Sequence, residues 1–230
     1  MNRRFVNLVT HNWAEGFYSL RRIDPYHFFF YRSAKAALEA AKRNGSFPAM
    51  QTLELPPSSM NFGTCALGGR LDFALLSSRP AYEGRMVFAN TAGKALLYDA
   101  DEQFFSTMGS LKKPKGLNPV CISVVHPGTN QDSLYVMGRY PAGQAAAGGC
   151  FEVPEYAPEF SPPCDLEPAW RWRLLPPPHF ARQPWYELSS VTSYTAMFDS
   201  DGYPTIFVSC DGGVGTSGES SGRNLWGQSM

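Results

Sequence analysis

The sequence is short of several features that would indicate a function. Its 20 basic and 20 acidic residues cancel, so no field of one sign draws nucleic acid or an anionic membrane to the whole molecule. No apolar run approaches the length of a membrane span. Residues 5–9, which follow Arg3 and Arg4, are too few for the apolar core of a secretory signal. We therefore expect an intracellular protein, cytoplasmic or nuclear, that binds neither nucleic acid nor membrane.

Disulfide and metal-binding patterns are also missing. The five cysteines are odd in number, widely spaced and without a Cys-x-x-Cys pair, which predicts neither a disulfide framework nor a zinc site. The four histidines show no ligand spacing. We expect reduced thiols, no metal and no cofactor. The residues concerned are Cys65, Cys121, Cys150, Cys164, Cys210, His11, His27, His126 and His179.

What the sequence does contain is apolar and turn-forming material. Apolar residues make up 43% of the 230-residue chain and aromatic residues 14%, enough for one substantial core or two small ones. The 19 prolines and 21 glycines are typical of many short strands joined by turns. A segment of similar composition recurs at residues 50–57, 105–114 and 170–178. This recurrence predicts an all-β protein, a β-propeller or incomplete propeller of about three to four four-stranded blades.

The strand pattern is clearest between residues 71 and 209. One blade is predicted from strands at residues 71–76, 85–90, 94–99 and 104–108, with a turn at Thr91-Ala92-Gly93. A second blade is predicted from residues 120–125, 133–137, 150–153 and 170–175. The third has strands at residues 191–197 and 205–209 and no convincing end.

Upstream of these blades, strands are predicted at residues 5–10 and 28–31, and one short helix at residues 34–43. Ser33 is the expected N-cap, and Gly45 is the expected stop. The apolar face of the helix is formed by Ala34, Ala37, Leu38 and Ala41. We interpret the helix as an insertion packed by its alanine stripe rather than as a partner-binding helix.

Two loops and the C-terminal segment have biased compositions. Residues 142–149 are rich in alanine and glycine, and residues 154–168 in proline and acidic side chains, so both are predicted to be mobile loops. Residues 212–230 are mainly glycine, serine and polar residues. They bury too little apolar surface to offset the conformational entropy that is lost on folding. The chain is therefore divided into a partial propeller, residues 1–211, and a disordered tail, residues 212–230.

Five segments in a fixed order carry a likeness to a known family: residues 18–25, 28–30, 93–99, 132–137 and 172–178. With them the chain resembles a plant family, expanded in grasses, of kelch-like and F-box-associated proteins whose domain has no known function. The resemblance implies a kelch-like β-propeller used as a binding surface, with no catalytic residues and no cofactor. The chain departs from the family in lacking a leucine-rich F-box segment and in having the Gly/Ser tail where a closing blade is expected. It therefore resembles a C-terminally shortened member with an open sheet edge.

Three short motifs match the sequence patterns of known sites but lack the other residues that those sites require. Residues 213–218 read G-x-G-x-x-G, but too few residues follow for the helix and acidic residue of a dinucleotide site. Residues 218–222 read G-x-S-x-G, but no histidine follows Ser220 to accept its proton. The segment Asp199-Ser200-Asp201-Gly202 begins like a calcium loop, yet Cys210 stands where the bidentate glutamate belongs. We assign no catalytic, cofactor-binding or metal-binding residue.

One group of residues suggests a basic patch. It combines basic side chains with two tyrosines that could stack on bases: Lys112, Lys113, Lys115, Arg139, Tyr98 and Tyr140. Because the chain carries no net charge, solvated lysines at a blade turn are the preferred interpretation.

Residues 170–174 alternate in character. Trp170, Trp172 and Leu174 fall on one face of a strand, and Arg171 and Arg173 on the other. Packing between blades explains the tryptophans more simply than a sugar-binding platform.

Three classes of function follow from these observations. The preferred one is a non-enzymatic module whose loops, residues 142–149 and 154–168, bind an unknown protein partner, with self-association through the open edge as a further route. The second is an enzyme or small-ligand binder with a deep pocket at the propeller axis, gathering titratable residues such as His27, Asp72, Asp99 or His126. The third is a shortened, poorly folded product without a function of its own.

Overall fold

The computed structural model describes residues 5–24, 33–44, 54–63, 69–76, 84–125, 132–141, 149–158, 168–178, 181, 190–198, 204–211 and 224–229. The chain divides into two compact units, residues 1–68 and 69–230. The described residues form four antiparallel sheets of three or four strands and one helix. The prediction of an all-β protein with one short helix is therefore confirmed.

The first unit contains a three-stranded antiparallel meander. Its strands are β1 (Val6–Asn12), β2 (Phe17–Ile23) and β3 (Met60–Gly63), in the order β1-β2-β3. Leu20, at the centre of β2, is fully buried. The strand predicted at residues 5–10 is confirmed, and the one predicted at residues 28–31 lies outside the described residues.

The helix of the first unit, α1 (Ala34–Asn44), begins as predicted. The Ser33 Oγ accepts a hydrogen bond from the Ala36 N–H at 3.1 Å, which makes Ser33 the N-cap. The prediction of its buried face is partly wrong, because Leu38 is 55% exposed and Ala34 is also exposed. The half-buried stripe consists of the small residues Ala36, Ala37, Ala40 and Ala41. Gly45 lies outside the described residues.

The first sheet of the second unit matches the predicted blade closely. We call it sheet B; its strands β4 (Leu71–Leu75), β5 (Arg85–Asn90), β6 (Lys94–Asp99) and β7 (Phe104–Ser110) lie in sequence order. The turn between β5 and β6 closes because Asn90 Oδ1 accepts from the Lys94 N–H at 2.8 Å. Gly93 has a φ of 87° there, a conformation that glycine adopts at little cost.

The second sheet, sheet C, contains β8 (Val120–Val125), β9 (Asp132–Met137), β10 (Phe151–Pro158) and β11 (Pro168–Leu174), again in sequence order. The prediction of a mobile loop at residues 154–168 is therefore wrong at both ends. Pro154 faces Trp172 in the β10–β11 register, and Pro158 faces Pro168. Strand β10 pairs with β9 only at Phe151 and Glu152, so both β10 prolines lie where the strand has one neighbour and a missing N–H is tolerated. Residues 142–148 lie outside the described part of the chain.

The third sheet, sheet D, contains β12 (Val191–Phe198), β13 (Pro204–Cys210) and β14 (Asn224–Ser229). Strand β14 belongs to the tail that was predicted to be disordered, and this prediction is wrong for residues 224–229. The segment pairs with β13, placing Trp226 opposite Val208. The edge of β13 offers backbone N–H and C=O groups with which an extended segment can pair, and residues 224–229 contain no proline that would interrupt this pairing.

The three sheets of the second unit are stacked, with sheet C in the middle. Leu134 and Val136 of β9 belong to a buried cluster with Val87 and Leu97 of sheet B. Their sequence neighbours on the opposite face of β9 belong to a second cluster shared with β13 of sheet D. Corresponding strands meet: β4 contacts β8, β8 contacts β12, and β7 contacts β11. Because side chains alternate along β9, its two faces contribute to two separate hydrophobic cores.

Candidate functional site

A tight turn joins β1 to β2 at residues 12–16, and we call it the hairpin turn. The Asn12 Oδ1 accepts from the N–H groups of Ala14 at 3.1 Å and Glu15 at 3.3 Å. The Asn12 Nδ2 donates to Glu15 Oε2 at 3.0 Å, and the Gly16 N–H donates to the Asn12 C=O at 2.9 Å. Gly16 has a φ of 66°, which suits glycine. These hydrogen bonds hold the turn in one conformation.

The hairpin turn presents a tryptophan to solvent. Trp13 is 80% exposed, and its ring meets the His11 ring edge-on at a centroid distance of 4.1 Å. The His11 ring in turn stacks on Tyr18 at 4.2 Å, and Tyr18 is buried. The exposed Trp13 ring therefore contacts His11, which in turn packs on the buried Tyr18 of β2.

A second candidate is a cavity between sheets B and C, which we call the inter-sheet cavity. Its volume is about 20 Å³, room for about one water-sized group. Its apolar walls include Ala74 and Ala89 from sheet B and Leu134, Val136 and Trp172 from sheet C. Polar residues converge on the same cavity: Asp72, Asn90, Lys115 and Cys121. Small-molecule sites combine apolar walls with a few polar groups in the same way, but their volumes are about 300–1,000 Å³, so this cavity is too small for an organic ligand.

The titratable groups of the cavity are perturbed by burial. Burial raises the pKa of Asp72, although the charge of Arg70 and the Asn118 N–H act in the opposite direction. Burial raises the pKa of the Cys121 thiol to about 12, and the negative charge of Asp72 adds to this effect. A thiol with such a pKa stays protonated and is a poor nucleophile.

Lys115 ends in a buried ion pair. It belongs to the strap, residues 111–119, that joins β7 to β8. The Lys115 Nζ lies 2.5 Å from Glu152 Oε1, and the two side chains are 2% and 0% exposed. Glu152 also accepts from the backbone N–H groups of Lys112 at 2.8 Å and Lys113 at 3.0 Å. Burial lowers the pKa of Lys115, opposed by the hydrogen bond and charge of Glu152. Glu152 therefore attaches the strap to sheet C.

Residues 3–217 match a protein-family model described as Protein of unknown function (DUF1668). The chain belongs to the DUF1668 family. No curated protein and no solved structure matches it. The resemblance to a family with a domain of unknown function is thus confirmed, and its plant, kelch-like and F-box-associated attributes stay predictions.

Of the titratable residues proposed for a pocket, the structure of the DUF1668 chain brings no two of the described ones together. Asp72 lines the inter-sheet cavity, whereas His27 and His126 lie outside the described residues. Asp99 does not line the cavity; its Oδ2 lies 2.9 Å from Arg85 Nε. Burial would raise the pKa of Asp99, but hydrogen bonds from Arg85 and from the N–H groups of Glu102 and Asp101 outweigh it, and the pKa is lowered.

The predicted basic group does not form a patch. Lys115 is buried with Glu152, because three donors from the strap converge on that carboxylate. Tyr98 is 6% exposed and cannot stack on a base. The interpretation as solvated lysines is confirmed for Lys112 and Lys113, which are exposed, and is wrong for Lys115.

The alternation on β11 is confirmed for the two tryptophans and the two arginines but not for Leu174, which is 38% exposed. Trp172 is buried in the cluster between sheets B and C, and Trp170 packs against that cluster. Arg171 and Arg173 are exposed and pair with Glu155 on the other face. Packing between sheets accounts for Trp172, as predicted.

The remaining motifs yield no site. Residues 199–202, 213–218 and 218–222 lie outside the described residues. No group of three side chains in the described ranges is arranged to hold a metal ion, and none of the described helices is long and apolar enough to span a membrane. Cys121, Cys150 and Cys210 are not joined in disulfides.

Sequence reasoning missed both the hairpin turn and the Lys115–Glu152 pair. The segment Asn12-Trp13-Ala14-Glu15-Gly16 between two strands carries a usable signal, since asparagine and glycine bracket a turn and leave the tryptophan at its tip. No comparable signal marks Glu152, which is 37 positions from Lys115.

Proposed function

We propose that this protein is a non-enzymatic interaction module that binds another protein through the hairpin turn, with Trp13 as the anchoring side chain. The observation that carries the proposal is the 80% exposure of Trp13 on a turn held by four hydrogen bonds. A turn already held in one conformation loses little backbone entropy on binding, and tryptophan is enriched among residues that dominate interfaces.

For the scaffold, we infer a kelch-like propeller arrangement. Support comes from the second unit, where first strands contact first strands and last strands contact last strands. Sheet C also uses opposite faces of β9 toward its two neighbours. Radially arranged blades produce this pattern, because each blade packs face to face on the next with its inner strand beside the next inner strand.

We further infer an intracellular location, cytoplasmic or nuclear. Cys121, Cys150 and Cys210 remain thiols in the structure, which is the usual state of cysteines in a reducing compartment. The partner under this proposal is a protein of the same compartment.

Photo-crosslinking tests the role of the hairpin turn. A photoreactive amino acid replaces Ala14, which is exposed beside Trp13, in the full chain expressed in its native cells. The partner is identified from the crosslinked product, purified, and crosslinked again in a two-component mixture. We expect one discrete product that is lost when Trp13→Ala is added.

The matched control is Tyr140→Ala, which removes another aromatic side chain with 57% exposure. It should leave the crosslinked product unchanged. Both substitutions should change the free energy of unfolding by less than about 0.5 kcal/mol, since both are at the surface. The proposal would be refuted if the crosslinked product persists in Trp13→Ala, or if no product forms when Trp13 is present.

A further inference from the structure

We propose that two copies of this protein associate through β1, which pairs antiparallel with the β1 strand of the second copy. The three-stranded sheets of the two copies then join into one continuous antiparallel sheet across a two-fold axis. This interface does not use Trp13 and does not depend on the function proposed for the hairpin turn.

The first support is a long and regular sheet edge. Among the described residues β1 lies at one edge of its sheet, in the order β1-β2-β3. All 7 of its residues pair with β2 without a shift of register, whereas β3 at the other edge has only 4 residues. A regular edge strand presents a row of backbone N–H and C=O groups that can pair with another strand.

The second support is that β1 lacks the usual protection of an edge. Edge strands are commonly kept from pairing by charged side chains, prolines or bulges. The sequence of β1, VNLVTHN, contains no acidic residue, lysine, arginine or proline, and its ladder with β2 has no bulge. By contrast, the edge strand β11 begins at Pro168 and carries the exposed Arg171 and Arg173.

The third support is that β1 is complementary to itself. An antiparallel overlap along its whole length is centred on Val9, the middle of its 7 residues. In this register Val9 faces Val9 of the second copy, Leu8 faces Thr10, and Asn7 faces His11. No pair sets two like charges opposite each other, an arrangement that would be destabilising. Because both copies use the same strand, the contact closes as a dimer rather than extending into a fibre.

The strength of the contact follows from its size. Interfaces that bury less than about 1,200 Å² are generally weak or transient, and one strand edge is a narrow contact. We therefore expect a reversible dimer that forms at high micromolar rather than nanomolar protein concentration.

Disulfide crosslinking of the full chain under mild oxidation tests the register. In Val9→Cys the two introduced cysteines lie directly opposite each other, with Cα atoms about 4.5–5.5 Å apart, a separation that a disulfide spans. We expect a covalent dimer. Val6→Cys is the matched control: Val6 is 46% exposed, but the two copies of this residue are about 20 Å apart along the paired strands, too far for a disulfide.

The unmutated chain controls for crosslinks through its 5 native cysteines. Equal yields of covalent dimer from Val9→Cys and Val6→Cys would overturn the proposal. A yield from Val9→Cys no higher than that of the unmutated chain would overturn it as well.

Sedimentation equilibrium tests the association without a crosslink. Val9→Lys and Val9→Glu each place like charges opposite each other, and each should weaken dimerisation by about fivefold or more. An equimolar mixture of the two sets Lys opposite Glu and should associate more tightly than either variant alone. Circular dichroism checks that each variant is folded. If a charged variant fails to fold, the crosslinking experiment decides, since cysteine is close to valine in size.

A chain that remains monomeric at every concentration contradicts the proposal, even if β1 then pairs with a strand of a different protein. A mixture that associates no more tightly than its two folded components also contradicts it.

Discussion

Removing the charge of Lys115 should be among the most destabilising single changes in this protein. Glu152 has 0% side-chain exposure and accepts three hydrogen bonds, from Lys115 Nζ at 2.5 Å, Lys112 N at 2.8 Å and Lys113 N at 3.0 Å. Lys115→Met leaves a buried carboxylate with two backbone donors and no counter-charge. Breaking a buried pair in this way costs about 3–5 kcal/mol, a large part of the stability of a typical domain.

The reciprocal change, Glu152→Gln, should also be strongly destabilising, because it leaves the Lys115 ammonium buried with only the Gly149 C=O and a neutral amide oxygen as acceptors. The double variant Lys115→Met/Glu152→Gln removes both charges together. Its loss of stability should be smaller than the sum of the single losses by at least about 2 kcal/mol, as expected of directly coupled residues.

Urea unfolding of the purified chain, followed by circular dichroism, measures these differences as shifts of the midpoint at constant slope. Lys112→Met is the matched control, since it changes an exposed lysine of the same strap and keeps the backbone N–H. It should change stability by less than about 0.5 kcal/mol. Losses below about 1 kcal/mol in both single variants, or strict additivity in the double variant, would refute the role given to Glu152.

Three further predictions concern the second unit. The pKa of Asp99 lies below its ordinary value of 3.8, so its ionised form stabilises the fold above that pH and the contribution is lost as pH falls through the folded-state pKa. Asp99→Asn should therefore cost about 1 kcal/mol at pH 7, and this difference should decrease in unfolding curves measured at successively lower pH below 3.8; a constant difference contradicts the assignment. Gly149→Ala places a Cβ 2.7 Å from Lys113 Cβ and should lower stability by about 1–3 kcal/mol, and an unchanged melting temperature would show that the strap can shift freely. Leu134→Ala removes a side chain with 0% exposure and should cost about 2–5 kcal/mol, against less than about 0.5 kcal/mol for the exposed Leu117→Ala; similar small losses would mean that Leu134 is not in a core.

The strands of sheets B and C were largely predictable because their local signals agree. The bounds of β5 and β6 coincide with the predicted ones, since β-forming runs are separated there by a turn with Asn90 and Gly93 at its ends. The prolines of β10 led to the wrong prediction of a loop at residues 154–168, because composition alone does not show that the strand has a single neighbour at those positions. Strand β14 was missed because its formation depends on the edge of β13 rather than on its own residues.

The candidate sites were less predictable because they depend on contacts between distant parts of the chain. Lys115 was interpreted as a surface lysine, and only the fold places it beside Glu152. The inter-sheet cavity requires Ala74 and Ala89 to meet sheet C, which no local pattern reports. The hairpin turn was accessible in principle, since Asn12 and Gly16 bracket Trp13 within a short segment.

The most direct test of the interaction proposal is the affinity of the purified chain for the partner identified by crosslinking, measured by isothermal titration calorimetry. Loss of an anchoring tryptophan costs about 2 kcal/mol or more, so Trp13→Ala should weaken the Kd by about 30-fold or more. Tyr140→Ala should leave the Kd unchanged within about twofold. Equal affinities of Trp13→Ala and the unmutated chain would contradict the account.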